Sequence, residues 1–156
     1  MRITLIFTGK TEESYLKDGI DLYVKRISRY IPTGIKIISE PVKKSGSHNR
    51  GNITDEYKKL TSVKSGQSFK VLLDEKGEQL TSDKFAGFIE KKMVMGYREL
   101  VFLTGGAYGF TEEIYHEADS ILSLSAMTFT HQMVRLILVE QLYRAMTIIR
   151  GEPYHH

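Results

Sequence analysis

Cysteine is absent from the 156-residue sequence, and no run of 18 apolar residues occurs in it. The first absence excludes disulfide bonds, thiolate metal sites and thiol nucleophiles. The second excludes a membrane-spanning helix, and the apolar stretch at residues 3–7 is too short for a secretory signal. With 41% hydrophobic and 26% charged residues, the sequence predicts a cytoplasmic protein built as one domain over residues 1–156.

Two nucleotide-binding motifs and a metal-binding pattern are also missing. The phosphate-binding sequence GxxxxGK[ST] does not occur, which excludes a P-loop enzyme. The first predicted strand is followed by Gly9 alone rather than by a glycine-rich fingerprint, which disfavours Rossmann dehydrogenases and the common Rossmann-like methyltransferases. No two of the five histidines are spaced i, i+4 on a predicted helix, so no metal site is expected.

Strand and helix patterns alternate along the whole chain. Strands are predicted over residues 2–7, 35–39, 69–73, 100–104 and 121–125, from β-branched and aromatic runs closed by turn residues. Helices are predicted to begin near Thr11, Asn52, Ser82 and Thr111, and a last one covers about residues 130–149. This alternation predicts an α/β fold with a mostly parallel sheet flanked by helices. It leaves the order of the strands open.

The last predicted helix carries apolar residues on nearly all of its circumference, among them Val134, Ile137 and Ile148. A helix of this kind is buried on nearly all sides. Because a chain of this length has few elements to cover it, we expect a symmetric contact with a second copy. Burial within a single chain is the alternative interpretation.

Positive charge is concentrated in the first half of the sequence. Residues 1–70 hold 14 Lys and Arg against 7 Asp and Glu, whereas residues 71–156 hold 8 against 12. This asymmetry indicates a surface that faces a polyanion such as RNA. A solvated, lysine-rich surface without such a role is the alternative.

Three loops follow the third, fourth and fifth predicted strands, at residues 73–77, 104–109 and 124–129. Ligands bind at the carboxyl ends of the strands in open α/β sheets, so we expect these loops to form one pocket. The glycines of the second loop permit close backbone approach to a ligand, although a tight turn explains them equally. His131 stands beside the third loop, where a capping or packing role competes with substrate contact.

Four segments of the sequence resemble a known family. They are LDEKG at residues 73–77, GGAYG at 105–109, LSLSAMT at 122–128, and HQMVR through EQLYRA to PYH at 131–155. They closely resemble the ribosomal RNA large subunit methyltransferase H family of the SPOUT methyltransferases, over essentially the whole chain. One departure is Thr130, where that family usually has proline.

The resemblance implies a C-terminal trefoil knot, a homodimer and S-adenosyl-L-methionine as methyl donor. It implies methylation of the N-3 ring nitrogen of a pseudouridine in large-subunit (23S) ribosomal RNA, on assembled ribosomes. Carried over position by position, the cofactor-binding residues are Leu73, Gly105, Leu124, Ser125, Ala126, Met127, Thr128 and Phe129.

The resemblance also suggests catalytic roles near the C-terminus. Tyr154 and His155 match the family's Tyr-His pair, and either is expected to remove the imide proton or to orient the base. Arg144 is expected to stabilise negative charge on a carbonyl oxygen, with an ion pair to Glu140 as the alternative. The phosphate contacts are expected from Lys25, Arg26, Arg29, Lys43, Lys44 and Arg50.

Two other functions compete with this interpretation. A non-enzymatic RNA-binding or ribosome-assembly module needs the basic half of the chain but no cofactor pocket. An oxidoreductase on a doubly wound sheet needs the glycine fingerprint that is missing after the first strand.

Overall fold

The computed structural model describes residues 1–39, 54–59, 67–107 and 109–153. Within these residues the chain alternates between five strands and five helices. In chain order they are β1 (Arg2–Thr8), α1 (Ser14–Ile27), β2 (Thr33–Ile38), α2 (54–59), β3 (Ser68–Gln79), α3 (Ser82–Val94), β4 (Glu99–Thr104), α4 (Glu112–His116), β5 (Ser120–Ser123) and α5 (Met133–Ile149).

The five strands form one parallel sheet in the order β2-β1-β4-β3-β5. β4 lies at the centre, and all six of its residues are buried. Because all strands run in the same direction, their carboxyl ends meet at one edge of the sheet. The prediction of an α/β fold with a parallel sheet flanked by helices is confirmed.

The two faces of the sheet are covered by different helices. Side chains that alternate along the strands, such as Leu5 and Phe102, pack with α1, α3 and α5 in the larger core. Their neighbours, such as Ile6 and Val101, pack with α2 and α4 in the smaller core. Period-two alternation therefore assigns each strand residue to one layer or the other.

Helix α5 lies between α1 and α3 on the larger core. Seven of its 17 residues are buried, and the others are half-buried. The sequence predicts that a second copy of the chain covers much of α5. In the structure, α1, α3 and the sheet of the same chain cover part of it. Among the described residues, no helix has both the length and the apolar character that crossing a bilayer requires.

Several predicted boundaries were wrong: the second strand begins at Thr33, the fifth strand ends at Ser123 and the last helix begins at Met133. Two further errors have identifiable reasons. The third strand does not end at residue 73 but continues to Gln79, because β3 pairs with β5 a second time after an irregularity. The first helix begins at Ser14 and its N-cap makes no side-chain hydrogen bond. The hydroxyl of Thr11, predicted to cap it, instead accepts a hydrogen bond from Arg135 at 2.9 Å.

Candidate active site

A cleft of about 240 Å³ opens at the carboxyl edge of the sheet, beyond β3, β4 and β5. Four parts of the chain line it. They contribute Leu73, Asp74 and Glu75; Gly105, Gly106, Gly109 and Phe110; Leu122–Ser125 and Met127–Phe129; and His131 with Val134. The three segments expected to form one pocket thus lie around one cleft. Of the residues carried over from the resemblance as cofactor contacts, Ala126 alone is not among its lining residues.

The first wall of the cleft comes from the irregularity in β3. Leu73 and Glu78 both pair with Leu122 of β5, so four residues between them leave the ladder. Asp74 and Glu75 from this segment line the cleft. The strand can return to β5 because residue 77 is glycine: a Cβ there would lie 2.5 Å from the carbonyl carbon of Leu122.

The carboxylate of Asp74 is held by donors on both oxygens. The hydroxyl of Tyr115 donates to Oδ2 at 2.6 Å, and the amide of Lys76 donates to Oδ1 at 2.9 Å. Burial, together with this hydrogen bond and the nearby charge of Asp74, raises the pKa of Tyr115 to about 12. The phenol therefore stays protonated near neutral pH and keeps Asp74 in a fixed orientation beside the cleft.

The segment between β5 and α5 supports its own shape through short-range hydrogen bonds. The Ser123 hydroxyl donates to the carbonyl of Ser125 at 2.9 Å, and the amide of Met127 donates to the Ser125 hydroxyl at 2.9 Å. Thr130, the departure from the family's proline, accepts from the amide of Met133 at 3.2 Å. Its hydroxyl thus satisfies one of the free amides at the start of α5.

The start of α5 is hydrogen-bonded to the end of β1 and to the connection between β1 and α1. Arg135 is fully buried, and its guanidinium donates to the carbonyl of Thr8 at 2.6 Å and to the hydroxyl of Thr11 at 2.9 Å. Gln132 donates to the carbonyl of Lys10 at 3.1 Å and accepts from a backbone amide at 3.2 Å. These contacts fix the helix turn that carries the cleft residues His131 and Val134.

Arg144 does not line the cleft. It lies ten residues after Val134, about 15 Å further along α5. Its guanidinium forms an ion pair with Glu140 at 3.3 Å, which is the alternative that the spacing in the sequence left open. Both side chains are partly exposed, so the pair leaves Arg144 accessible.

Three of the predicted RNA-binding residues, Lys25, Arg26 and Arg29, lie at or just after the last turn of α1, beside the part of α5 that carries Arg144. Arg26 packs its guanidinium against the rings of Tyr23 and Tyr143, at 5.5 and 5.6 Å from the ring centroids. Lys25 and Arg29 beside it are exposed. In a single chain, the Tyr143 ring against which Arg26 packs therefore lies nine residues after Val134 of the cleft, about 14 Å along α5.

Five of the predicted site residues lie outside the described part of the chain. They are Tyr154 and His155, and the basic residues Lys43, Lys44 and Arg50. Among the described residues, no group of three His, Asp or Glu side chains is arranged to hold a metal ion.

Sequence reasoning missed two features of this site. Asp74 and Glu75 were placed in a loop without a role, although two consecutive acids after a buried strand were a usable signal. Tyr115 was not singled out, because nothing in the spacing of 41 residues shows that it meets Asp74.

The sequence matches known proteins over its full length. A family model described as a predicted SPOUT methyltransferase matches residues 1–155. The chain is 44% identical to the ribosomal RNA large subunit methyltransferase H of Christiangramia forsetii, with 100% of this chain and 99% of that protein covered. Identity to the protein of the same name from Geobacter metallireducens is 46%, again over 100% and 99%.

Solved structures show the same fold at low sequence identity. A probable methylase family protein from Haemophilus influenzae superposes with a TM-score of 0.52 at 14% identity, over 99% of this chain and 70% of that chain. A probable methyltransferase from Bordetella pertussis gives 0.56 at 10% identity, over 93% and 94%. The full-length sequence matches, together with the cleft at the carboxyl edge of the sheet, show that the chain belongs to the SPOUT methyltransferase family.

Proposed function

We propose that this methyltransferase transfers a methyl group from S-adenosyl-L-methionine to N-3 of a pseudouridine in large-subunit (23S) ribosomal RNA, on assembled ribosomes in the cytoplasm. Membership of the family implies the C-terminal trefoil knot. The proposal treats residues 1–156 as one domain that acts as a homodimer. Its main support is the cleft. The three segments that line most of it contain the residues that the family resemblance identifies as cofactor contacts.

The character of the cleft suits a nucleoside that carries a positive charge. Glycines and apolar side chains line most of it, and backbone groups of the second and third walls are available to an adenine edge. Its described charged side chains are those of Asp74 and Glu75, both acidic. A negative wall favours a sulfonium ligand over its neutral thioether product.

Positioning is the main contribution that the chain makes to this chemistry. When bound, S-adenosyl-L-methionine supplies an electrophilic methyl group on a sulfonium, whose sulfur keeps the bonding electrons and leaves as a neutral thioether. The residues that line the cleft would hold the donor so that the ring nitrogen of the base can approach its methyl group. His155 or Tyr154 accepts the proton of N-3 as the new N–C bond forms, and Arg144 stabilises the charge left on a ring carbonyl.

Chain geometry supports a site shared between two subunits. The amide of Glu152 donates to the carbonyl of Thr147 at 2.9 Å, and its carboxylate accepts from the hydroxyl of Tyr30 at 2.6 Å. Thr147 lies 13 residues after Val134, about 20 Å along α5. The three residues from Glu152 to His155 span at most about 11 Å. The proposal therefore assigns His155 to the cleft of a second copy rather than to the cleft of its own chain.

The size of the cleft agrees with this arrangement. Its volume of about 240 Å³ is slightly below the range of roughly 300–1,000 Å³ of complete small-molecule sites. A tail from a second subunit would add a wall to it. The same assembly would bring the basic residues at the far end of α1 towards the cleft of the other copy, where they contact RNA phosphates.

The decisive experiment is mass spectrometry of ribosomal RNA from a strain that lacks this protein. Purified protein and S-adenosyl-L-methionine are added to its ribosomes, and the added mass is located by nuclease digestion. A single new methyl group on a pseudouridine is expected. A non-enzymatic RNA-binding module would add none, and calorimetry would then show no binding of the methyl donor.

The role of the tail is tested by His155→Ala. We expect methyl transfer to fall more than about tenfold, whereas the affinity for S-adenosyl-L-methionine, measured by calorimetry, stays unchanged. His116→Ala, at the end of α4, is the matched control. Unchanged turnover of His155→Ala would remove this histidine from the mechanism.

A further inference from the structure

A second cavity, of about 270 Å³, lies next to the cleft, between the ends of β3 and β5, the start of α3 and the middle of α5. Because one water occupies about 30 Å³ in the liquid, the cavity has room for about nine waters, which is more than one pyrimidine base requires. Neither the resemblance nor the comparisons assign it a role.

The cavity and the cleft share a wall. Leu122, Ser123 and Leu124 line both of them, on β5 and just beyond it. Val134 of the cleft and Gln141 of the cavity are seven residues apart on α5, which places them on the same face of the helix about 10 Å apart. Transfer of a methyl group requires two adjoining sites of this kind, one for the donor and one for the acceptor.

A chain of hydrogen bonds leads from this cavity to Arg144. The hydroxyl of Ser82 donates to Gln141 Oε1 at 2.8 Å, and Gln141 Nε2 donates to Glu140 Oε2 at 2.6 Å. The other oxygen of Glu140 accepts from Arg144 Nε at 3.3 Å. Arg144, which is expected to stabilise negative charge on a ring carbonyl, is thus coupled to the polar wall of the cavity.

The polar groups of the cavity match a neutral heterocycle. A glutamine amide has two N–H donors and two acceptor sites on its oxygen. These bonds use one of each, so Gln141 retains one donor and one acceptor, and Ser82 retains its lone pairs. A ring carbonyl next to a ring N–H, as in a pyrimidine imide, complements such a pair. The carboxylate of Glu78 also lines the cavity, which disfavours a phosphate.

We propose that this second cavity receives the target base of the RNA, turned out of its stack, and that Gln141 and Ser82 hydrogen-bond its polar edge. Enzymes that modify a base inside folded RNA or DNA take that base into a pocket of this kind. The inference rests on the proposed function and adds the location of the acceptor site.

The test compares Gln141→Leu, Gln141→Glu and Ser82→Ala with the unaltered protein. The first variant removes both polar groups, the second keeps the shape but removes the donor, and the third leaves the α3 cap intact because Thr81 provides it. Gln67→Leu, just before β3 at the opposite edge of the sheet, is the control. Methyl transfer to ribosomes from the strain without this protein gives kcat and KM, and calorimetry gives the affinity for S-adenosyl-L-methionine.

The inference predicts that KM for ribosomes rises roughly three- to tenfold in Gln141→Glu and Ser82→Ala, the size of one lost hydrogen bond. It rises further in Gln141→Leu, which loses two, and donor affinity stays within about twofold of the original in all three. Unchanged KM in folded, active variants overturns it. Weakened donor affinity with unchanged KM also overturns it, because the cavity then holds the amino-acid end of the donor. No transfer and no donor binding by the unaltered protein would instead overturn the proposed function.

Discussion

Replacing Arg135 with methionine tests whether the buried guanidinium holds the cleft together. Methionine retains the apolar part of the side chain but removes its hydrogen bonds to the Thr8 carbonyl and the Thr11 hydroxyl. It also removes the contact with the ring of Phe7, whose centroid lies 5.2 Å from the guanidinium carbon. We expect the variant to be less stable and to bind the methyl donor more weakly.

The magnitude follows from what is left behind. The carbonyl of Thr8 is buried, and a buried acceptor that loses its partner costs about 1–3 kcal/mol. The hydrogen bond to Thr11 adds about 1 kcal/mol, and relief from burying a charge offsets part of the sum. A net loss of about 2–3 kcal/mol corresponds to a fall in Tm of roughly 4–12 °C for a chain of this length.

Thermal and urea unfolding measure this loss, with Arg150→Met as the control because Arg150 is exposed just beyond α5. The control should change the free energy of unfolding by less than about 0.5 kcal/mol. Calorimetry measures the affinity of each variant for S-adenosyl-L-methionine and so reports whether the cleft is intact. An Arg135→Met protein with the original Tm and the original donor affinity would refute the reasoning.

Three further variants probe the walls of the cleft. Gly77→Ala places a Cβ 2.5 Å from the Leu122 carbonyl carbon, so we expect a loss of about 3 kcal/mol or more in urea unfolding. Tyr115→Phe removes a phenol whose pKa is raised to about 12. The free energy that this shift contributes is present below about pH 10 and is lost as the pH rises towards 12. The pKa of Tyr30 is also raised to about 12, so the variant should lose only the part of the tyrosinate absorbance near pH 12 that Tyr115 contributes. It should also bind the donor more weakly, because Tyr115 no longer donates a hydrogen bond to Asp74. Thr130→Ala removes the acceptor for the first amide of α5, which should cost about 1 kcal/mol in thermal unfolding.

The first two of these variants have a matched control. Gly87→Ala lies in α3 where nothing is within 4 Å of the new Cβ, so it should leave stability equal or slightly higher. Tyr15→Phe changes an exposed phenol far from Asp74 in the sequence, and it should leave the affinity for the donor unchanged. If Gly77→Ala were as stable as Gly87→Ala, the close crossing of β3 and β5 would be wrong. If Thr130→Ala matched the original Tm, the capping role would be wrong.

The elements of the fold were readable from the sequence because their signals are local. Runs of β-branched and aromatic residues closed by turn residues marked the strands, and apolar residues at helical spacing marked the helices. The insertion of β4 between β1 and β3 was not readable, because it depends on pairings such as Leu5 with Phe102, 97 residues apart. The sequence of a strand does not show which other strand it pairs with.

The part of the candidate site that depends only on the direction of the strands was predicted from the sequence. The three segments around the cleft follow from parallel strands ending at one edge. The continuation of β3 to Gln79 was not predictable, because the acidic residues before Gly77 are typical of a loop, and it is contact with β5 that returns them to a strand. The buried Arg135 was also not predicted, because its partners are two oxygens more than 120 positions away.

The irregularity in β3 gives the molecule one place where its length can change at little cost. An insertion or deletion within residues 74–76 leaves the pairings on both sides of it in register. A single deletion within residues 68–73 would turn every later side chain of that segment to the opposite layer. Engineering of this enzyme towards bulkier sulfonium analogues should therefore begin with loop-length libraries at residues 74–76, where the wall can be reshaped without rebuilding the sheet.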